Sequence, residues 1–310
     1  MKQYFCNPLN FTYQYQFNQK ENGFSLNREA ADPSMILFNG KYYLFPSMTK
    51  GFLVSDDMTE WKLCPLKNVP VYDYAPDVRV IGEYLYFCAS RRGLACDFYR
   101  TKDPENGVFE RIPGTFDFWD PNLFSDDDGR VYFYWGCSNM TPIWGVELRP
   151  DTMERLGEPV VLIENHKKEY GYERTGEDHR YDPNSSHIVT LLKAQMAKTC
   201  GCSPDEITDI TPAIEATPEQ YRPMLKAALS DNPYIEGAWM TKHEGKYYLQ
   251  YASPGTQFNI YNDGVYVSEN PLGPFTICPN NPFSYSPGGF CPGAGHGSTM
   301  KDKNGNWWHT

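Results

Sequence analysis

Asp32, Asp120 and Glu236 lie far apart in the chain, yet each opens a segment built on the same plan. Asp32 stands 8 residues before Gly40, and Asp120 and Glu236 each stand 9 before Gly129 and Gly245. His296 stands 9 before Gly305, and Asp77 stands 5 before Gly82. Two carboxyls held at one pocket can share the work of general acid and general base, and a third can raise a neighbour's pKa by like-charge repulsion. An isolated Asp-Pro such as Asp32-Pro33 reads as a turn or cap. Five ionisable side chains in register across five repeats call for more than that.

The glycines that define the register each precede an aromatic-rich run: Gly40-Lys-Tyr-Tyr-Leu-Phe45, Gly82-Glu-Tyr-Leu-Tyr-Phe87, Gly129-Arg-Val-Tyr-Phe-Tyr134, Gly245-Lys-Tyr-Tyr-Leu-Gln250 and Gly305-Asn-Trp-Trp-His-Thr310. Asn39-Gly40, Asp128-Gly129 and Asn304-Gly305 are hairpin-turn signals, so these runs are expected to be second strands of repeated hairpins. The glycines are spaced by 42, 47, 116 and 60 residues, and blades of roughly 40–50 residues fit a four-stranded propeller. The expected fold is therefore all-β, a five-bladed β-propeller whose innermost strands bring the five ionisable groups to one end of a central channel. Outer strands are expected at Gly51–Ser55, Phe98–Thr101 and Val265–Ser268, with Trp61, Phe109 and Phe275 packing between blades.

The long spacing demands an insertion of about 164–231 between blades 3 and 4. A helix is expected over His187–Ala197 and a second from Thr217 as N-cap, with Pro218 at N1, to about Leu229. The insertion is expected to be partly helical, either a rim over the pocket or a surface excursion. The chain ends at Thr310 inside the fifth repeat, so the fifth blade is expected to be incomplete and the C-terminal part of this single domain missing. Alternating aromatics at Tyr4-Phe5 and Phe11–Phe17 could supply a closing strand.

The formal net charge of −11 argues against nucleic acid and against a polybasic membrane patch. No run approaches the length of a membrane span, and no signal-peptide pattern follows Met1. Nine cysteines are scattered irregularly, and Cys200-Gly-Cys202 has no partner pair at zinc spacing. Reduced thiols in a cytoplasmic protein are expected. Tyr alone numbers 23, and aromatic rings suit the apolar faces of sugars.

The segments Ala31-Asp32-Pro33-Ser34, Tyr74-Ala-Pro-Asp77-Val78, Asp120-Pro-Asn-Leu-Phe124, Ile235-Glu236-Gly-Ala-Trp239 and Gly295-His296-Gly-Ser298, in this order, resemble glycoside hydrolase family 43. The resemblance implies an inverting glycosidase of arabinofuranosidase or xylosidase type acting on plant-type oligosaccharides. It implies Asp32 as general base, Glu236 as general acid and Asp120 as the group that tunes the acid and orients the sugar. It places His296 near the channel axis, where some members bind calcium directly or through water; no other cofactor is implied. Asp77, Tyr74, Arg92, Trp119, Trp239 and His296 are the substrate-binding candidates. Arg92 could instead serve a salt bridge, and the two tryptophans could turn into the blade packing. The alternatives are a non-catalytic carbohydrate-binding propeller and a related five-bladed phosphorylase or fructosidase.

Overall fold

A computed structural model describes residues 17–20, 23–26, 30–47, 51–69, 74–91, 94–113, 116–183, 186–289 and 292–310. A hairpin of β1 (Phe17–Lys20) and β2 (Gly23–Leu26) precedes five radial sheets. Blade one holds β3 (Ser34–Phe38), β4 (Lys41–Phe45), β5 (Gly51–Ser55) and β6 (Lys62–Pro65). Blade two holds β7 (Tyr74–Ile81), β8 (Tyr84–Ser90), β9 (Phe98–Thr101) and β10 (Glu110–Ile112). Blade three holds β11 (Asn122–Ser125), β12 (Val131–Trp135), β13 (Ile143–Leu148) and β14 (Val160–Ile163). Blade four holds β15 (Glu236–His243), β16 (Lys246–Ser253), β17 (Asn262–Ser268) and β18 (Thr276–Ile277), with β19 (Ser284–Tyr285) also on β17. Blade five shows β20 (Thr299–Lys301) and β21 (Trp307–His309). All strand pairs are antiparallel meanders, so each blade runs outward from its first strand.

The expected second strands are β4, β8, β12, β16 and β21. The turn chemistry behaves as written in the chain: Asn39 and Gly40 both adopt positive φ, at 48° and 79°, the conformation a two-residue type I′ hairpin requires. The core lies between blades. Ile36, Phe45 and Phe52 of blade one pack with Val78, Leu85 and Phe87 of blade two, and Phe109 closes that layer as expected. Equivalent layers join blades two and three and blades three and four. Met300 and Trp308 of blade five pack on Met35, Tyr42 and Leu53 of blade one, with Trp61 against the same cluster.

The first strands are locked to one another by a repeated hydrogen bond. A side chain at one position of each inner strand bonds the backbone of the next blade's inner strand. Val78 N–H donates to Ser34 Oγ at 3.0 Å, Leu123 N–H to Asp77 Oδ2 at 2.6 Å and Met240 N–H to Asn122 Oδ1 at 2.8 Å. Trp239 Nε1–H donates to Thr299 O at 2.9 Å, and Met35 N–H donates to Ser298 Oγ at 3.1 Å. The last bond joins blade five to blade one, so the circle closes.

Asp77 and Trp239 are members of this circle. This corrects the expected register. The structural counterparts of Asp32, Asp120 and His296 are Ala75 and Gly237, since all five share positive φ (52°, 48°, 61°, 47° and 62°) at the same point of their blades. Asp77 stands two residues farther on, at the place of Ser34 and Asn122. It is buried and accepts from both Leu123 N–H and Asn122 Nδ2–H. Burial pushes its carboxyl up to about 6, opposed by Arg79. Trp239 is also buried, with the Arg79 guanidinium 3.7 Å from its ring centroid.

Between β14 and β15 run 3-10 turns and three helices, α1 (His187–Cys200), α2 (Thr211–Ala216) and α3 (Arg222–Ala228). The helix expected at His187 forms and continues to Cys200, where Gly201 at φ 70° caps it. The helix expected from Thr217 is different. Thr217 closes α2 and turns its hydroxyl back to Ala213 O at 3.0 Å, Pro218 opens only a 3-10 turn, and α3 starts at Arg222 with Pro223 in its first turn. Two proline-initiated starts, at 212 and 223, replace the single one expected. Of the strand expected from the N-terminal aromatics, residues 1–16 lie outside the described residues, and Phe17 pairs with Leu26.

Truncating a member of the inter-blade circle leaves a buried N–H without an acceptor. Asn122→Ala is expected to lower the unfolding free energy by about 3 kcal/mol in urea denaturation. Lys246→Ala, which removes only an exposed ion pair to Glu269, is expected to leave the midpoint unchanged within error.

Candidate active site

Asp32, Asp120, Glu236 and His296 line one cavity of about 440 Å³, together with Trp119, Cys137, Tyr234 and Gln257. They come from blades one, three, four and five. Left-handed backbone at Asp32, Asp120 and His296 turns these side chains toward the axis just before each inner strand begins. A non-glycine residue held there costs roughly 1–2 kcal/mol, and neighbouring blades hold it in place. Ser90 Oγ accepts Asp120 N–H at 3.0 Å. Asp263 Oδ1 accepts His296 N–H at 2.8 Å. Ser47 Oγ accepts Ala75 N–H at 2.6 Å and donates to Asp32 Oδ2 at 2.9 Å. In blade four the left-handed residue is Gly237. A Cβ there would lie 2.6 Å from His296 Cγ, so this glycine lets the imidazole lie flat on the strand.

His296 is the hub of the charges. Its Nδ1 is 3.2 Å from Asp32 Oδ1 and 3.7 Å from Asp120 Oδ2. Burial opposes the imidazolium, but Asp32, Asp120, Glu236 and Asp263 outweigh it and raise the histidine's pKa. Asp120 is pushed up to about 7, first by burial and then by Glu236 and Asp32, with His296 pulling the other way. One carboxyl of the site therefore holds a proton close to neutrality.

Glu236 is held at both oxygens. Tyr261 Oη donates to Oε1 at 2.5 Å, and Cys137 Sγ donates to Oε2 at 3.0 Å. The Cys137 thiol is pushed well up by burial and by Asp120 and Glu236, which keeps it a neutral donor. Asp120, Cys137 and Glu236 bring their ligand atoms within 4.8 Å of one another. Among the described residues this is the group that could hold an ion, but it offers two carboxylates and a sulfur. Calcium takes six to eight oxygens. These three residues by themselves do not fit calcium, and no step is assigned to a metal.

Trp119 lines the cavity and is half-buried. Asp77 and Trp239 belong to the inter-blade circle instead. Arg92 and the Tyr74 side chain lie outside the described residues. Sequence reasoning missed Cys137, Tyr261, Ser47 and Tyr234. Each sits just before or after a strand, where the repeat pattern stops. For Cys137 the signal was its place two residues after Trp135, the end of a second strand, which lies beside the pocket in this architecture.

The family model described as Glycosyl hydrolases family 43 matches residues 25–177 and 201–310 and leaves out 178–200. A xylosidase/arabinosidase 43A of Humicola insolens is 27% identical over 281 residues, covering 79% of this chain and 78% of that protein. A beta-xylosidase of Xylanibacter ruminicola is 26% identical over 284 residues, covering 79% and 77%. The crystal structure of a thermostable family-43 glycoside hydrolase superposes with a TM-score of 0.60 at 22% identity, covering 89% of this chain and 80% of that one. The fold is shared with that structure.

Two measurements test the electrostatics. Because the folded-state pKa of Asp120 lies above its ordinary 3.8, the folded protein binds the extra proton and loses stability as pH rises from about 4 to about 7. Asp120→Asn is expected to gain melting temperature relative to wild type across that window, and a parallel pH dependence in both proteins would count against the assignment. Cys137 is expected to alkylate far more slowly at pH 8 than exposed Cys200, read by peptide mass spectrometry.

Proposed function

The chain belongs to glycosyl hydrolase family 43 and is a glycosidase, and from that premise we propose that it removes pentosyl units from plant-type oligosaccharides by a single inverting displacement. The observation that carries this reading is the convergence of Asp32, Asp120 and Glu236 on one cavity around one imidazole. The relatives named for xylosidase and arabinosidase activity support the pentosyl class.

Inversion needs a base and an acid on opposite faces of the sugar with room for a water between them, roughly 6.5–9.5 Å. Asp32 on blade one and Glu236 on blade four are separated by the fifth blade on one side and by two blades on the other, which suits such a gap. In the proposed step water attacks the anomeric carbon and gives its proton to Asp32. The glycosidic C–O bond breaks, and its electron pair goes to the leaving oxygen, which takes the proton of Glu236. Ser47 and His296 orient the two oxygens of Asp32; Tyr261 and Cys137 orient those of Glu236. Asp120 and Glu236 share a proton near neutrality; in the reactive state Glu236 carries it, and the Asp120 carboxylate beside it favours that placement by like-charge repulsion and is placed to bind a sugar hydroxyl. Trp119 offers a ring face at the wall.

Glu236→Gln is expected to lower kcat by about a thousandfold on oligosaccharides, and less on 4-nitrophenyl glycosides, whose leaving group needs little protonation. Asp32→Asn is expected to abolish both activities. Proton NMR of the first product should show the inverted anomer. If wild type and Glu236→Gln turn over every pentoside and galactoside at the same rate, the reading fails.

A further inference from the structure

The catalytic cavity does not stand alone. Ala228, Tyr234 and Gln257 also line a second cavity of about 480 Å³, whose far side is Thr175 and Tyr181. Those two residues in turn line a third cavity of about 430 Å³ with Lys167, Lys168, Arg174 and His179. The three volumes thus share wall residues and lie side by side from the carboxylates across the insertion. The middle one is walled by Tyr181, Asp182, Ser186 and Ile188, all within 178–200, the part of the chain outside the family match.

Hydrogen bonds tie the walls of these cavities to the blades and to each other. Glu173 is buried and accepts Tyr251 Oη–H at 2.6 Å, which anchors the start of the insertion in the blade core. Asn259 of blade four bonds both Asp178 N–H and its carboxylate, each at 3.0 Å. Tyr181 Oη–H donates to Leu229 O at 3.1 Å, tying the two sides of the insertion together.

Charge changes from one cavity to the next. Glu177 and Asp182 border the middle cavity, while the end cavity carries Lys167, Lys168 and Arg174 against the single carboxylate of Asp231, which pairs with Lys167. In a protein of net charge −11 this is a local excess of cations on the insertion. Lys168 and Arg174 are exposed, so their charges face the cavity mouth and solvent.

We propose that the insertion forms an extended subsite path ending in an anion pocket, so that the preferred substrate is an oligosaccharide carrying an acidic substituent several units from the scissile bond. The shared chemistry is a sugar-borne anion, a uronic acid carboxylate or a sulfate ester, recognised by Lys168 and Arg174. This rests on the glycosidase reading and adds its substrate class.

The test compares kcat/KM on matched xylo- and arabino-oligosaccharides that are neutral, uronate-bearing or sulfated, for wild type and for the Lys168→Glu/Arg174→Glu variant. The acidic-to-neutral ratio is expected to fall about tenfold in the variant, through KM, and wild type should lose the same preference as salt rises. Whichever acidic arm shows the preference identifies the anion. Calorimetric binding of the same oligosaccharides to Glu236→Gln reads the pocket without turnover. If all substrates are cleaved with equal ratios in both proteins, or if acidic and neutral ligands bind Glu236→Gln equally, the anion pocket is wrong while the hydrolase stands. If acidic ligands bind preferentially and nothing is cleaved, the pocket stands and the hydrolase reading falls.

Discussion

Everything in this molecule hangs on the circle of hydrogen bonds between neighbouring inner strands. A sheet alone fixes its own strands but says nothing about the next sheet. Apolar layers between blades supply most of the adhesion, yet a greasy interface tolerates sliding. The bonds from Ser34, Asp77, Asn122, Trp239 and Ser298 to the adjacent blade set the angular and vertical register of all five sheets. Because Asp32, Asp120, Glu236 and His296 sit one to three residues from these bonds, the register of the circle becomes the geometry of the active site.

The site itself is a problem of too much negative charge in too little water. Three carboxyls face one cavity, and a single imidazole bridges two of them. The protein answers with a proton shared among the carboxyls, a histidine whose pKa the carboxylates raise, and neutral hydroxyl and thiol donors; among the described residues lining the cavity there is no lysine or arginine. A lysine or arginine against Glu236 would favour its ionised form, whereas the neutral donors Tyr261 and Cys137 orient its oxygens without adding positive charge.

Much of this was legible in the sequence. The Asn-Gly and Asp-Gly turns and the aromatic second strands marked the blades, because turn chemistry and alternation are local. Asp32, Asp120, Glu236 and His296 were found by counting back from those turns. The same count failed at Asp77, since blade two reads Ala75-Pro76-Asp77 where blades one and three read Asp32-Pro33 and Asp120-Pro121. The proline was the better landmark, and aligned on it Asp77 falls with Ser34 and Asn122. Trp239 took the other of its two expected places, in the blade packing. Cys137 and Tyr261 stayed hidden because they reach Glu236 across 99 and 25 residues of chain. The helices around Thr217 were misplaced because a proline start is a local signal that occurs twice there.

The seam where the circle closes has a temporal side. The contact from His296 to Asp32 and the bond from Ser298 to Met35 join the two ends of the described propeller, the latter across 263 positions of sequence. A growing chain can complete blades one to four, with all three carboxyls in hand, and still lack the imidazole that rests against Asp32. The cluster of charges is therefore completed in one event, when residues 296–298 dock on the oldest blade.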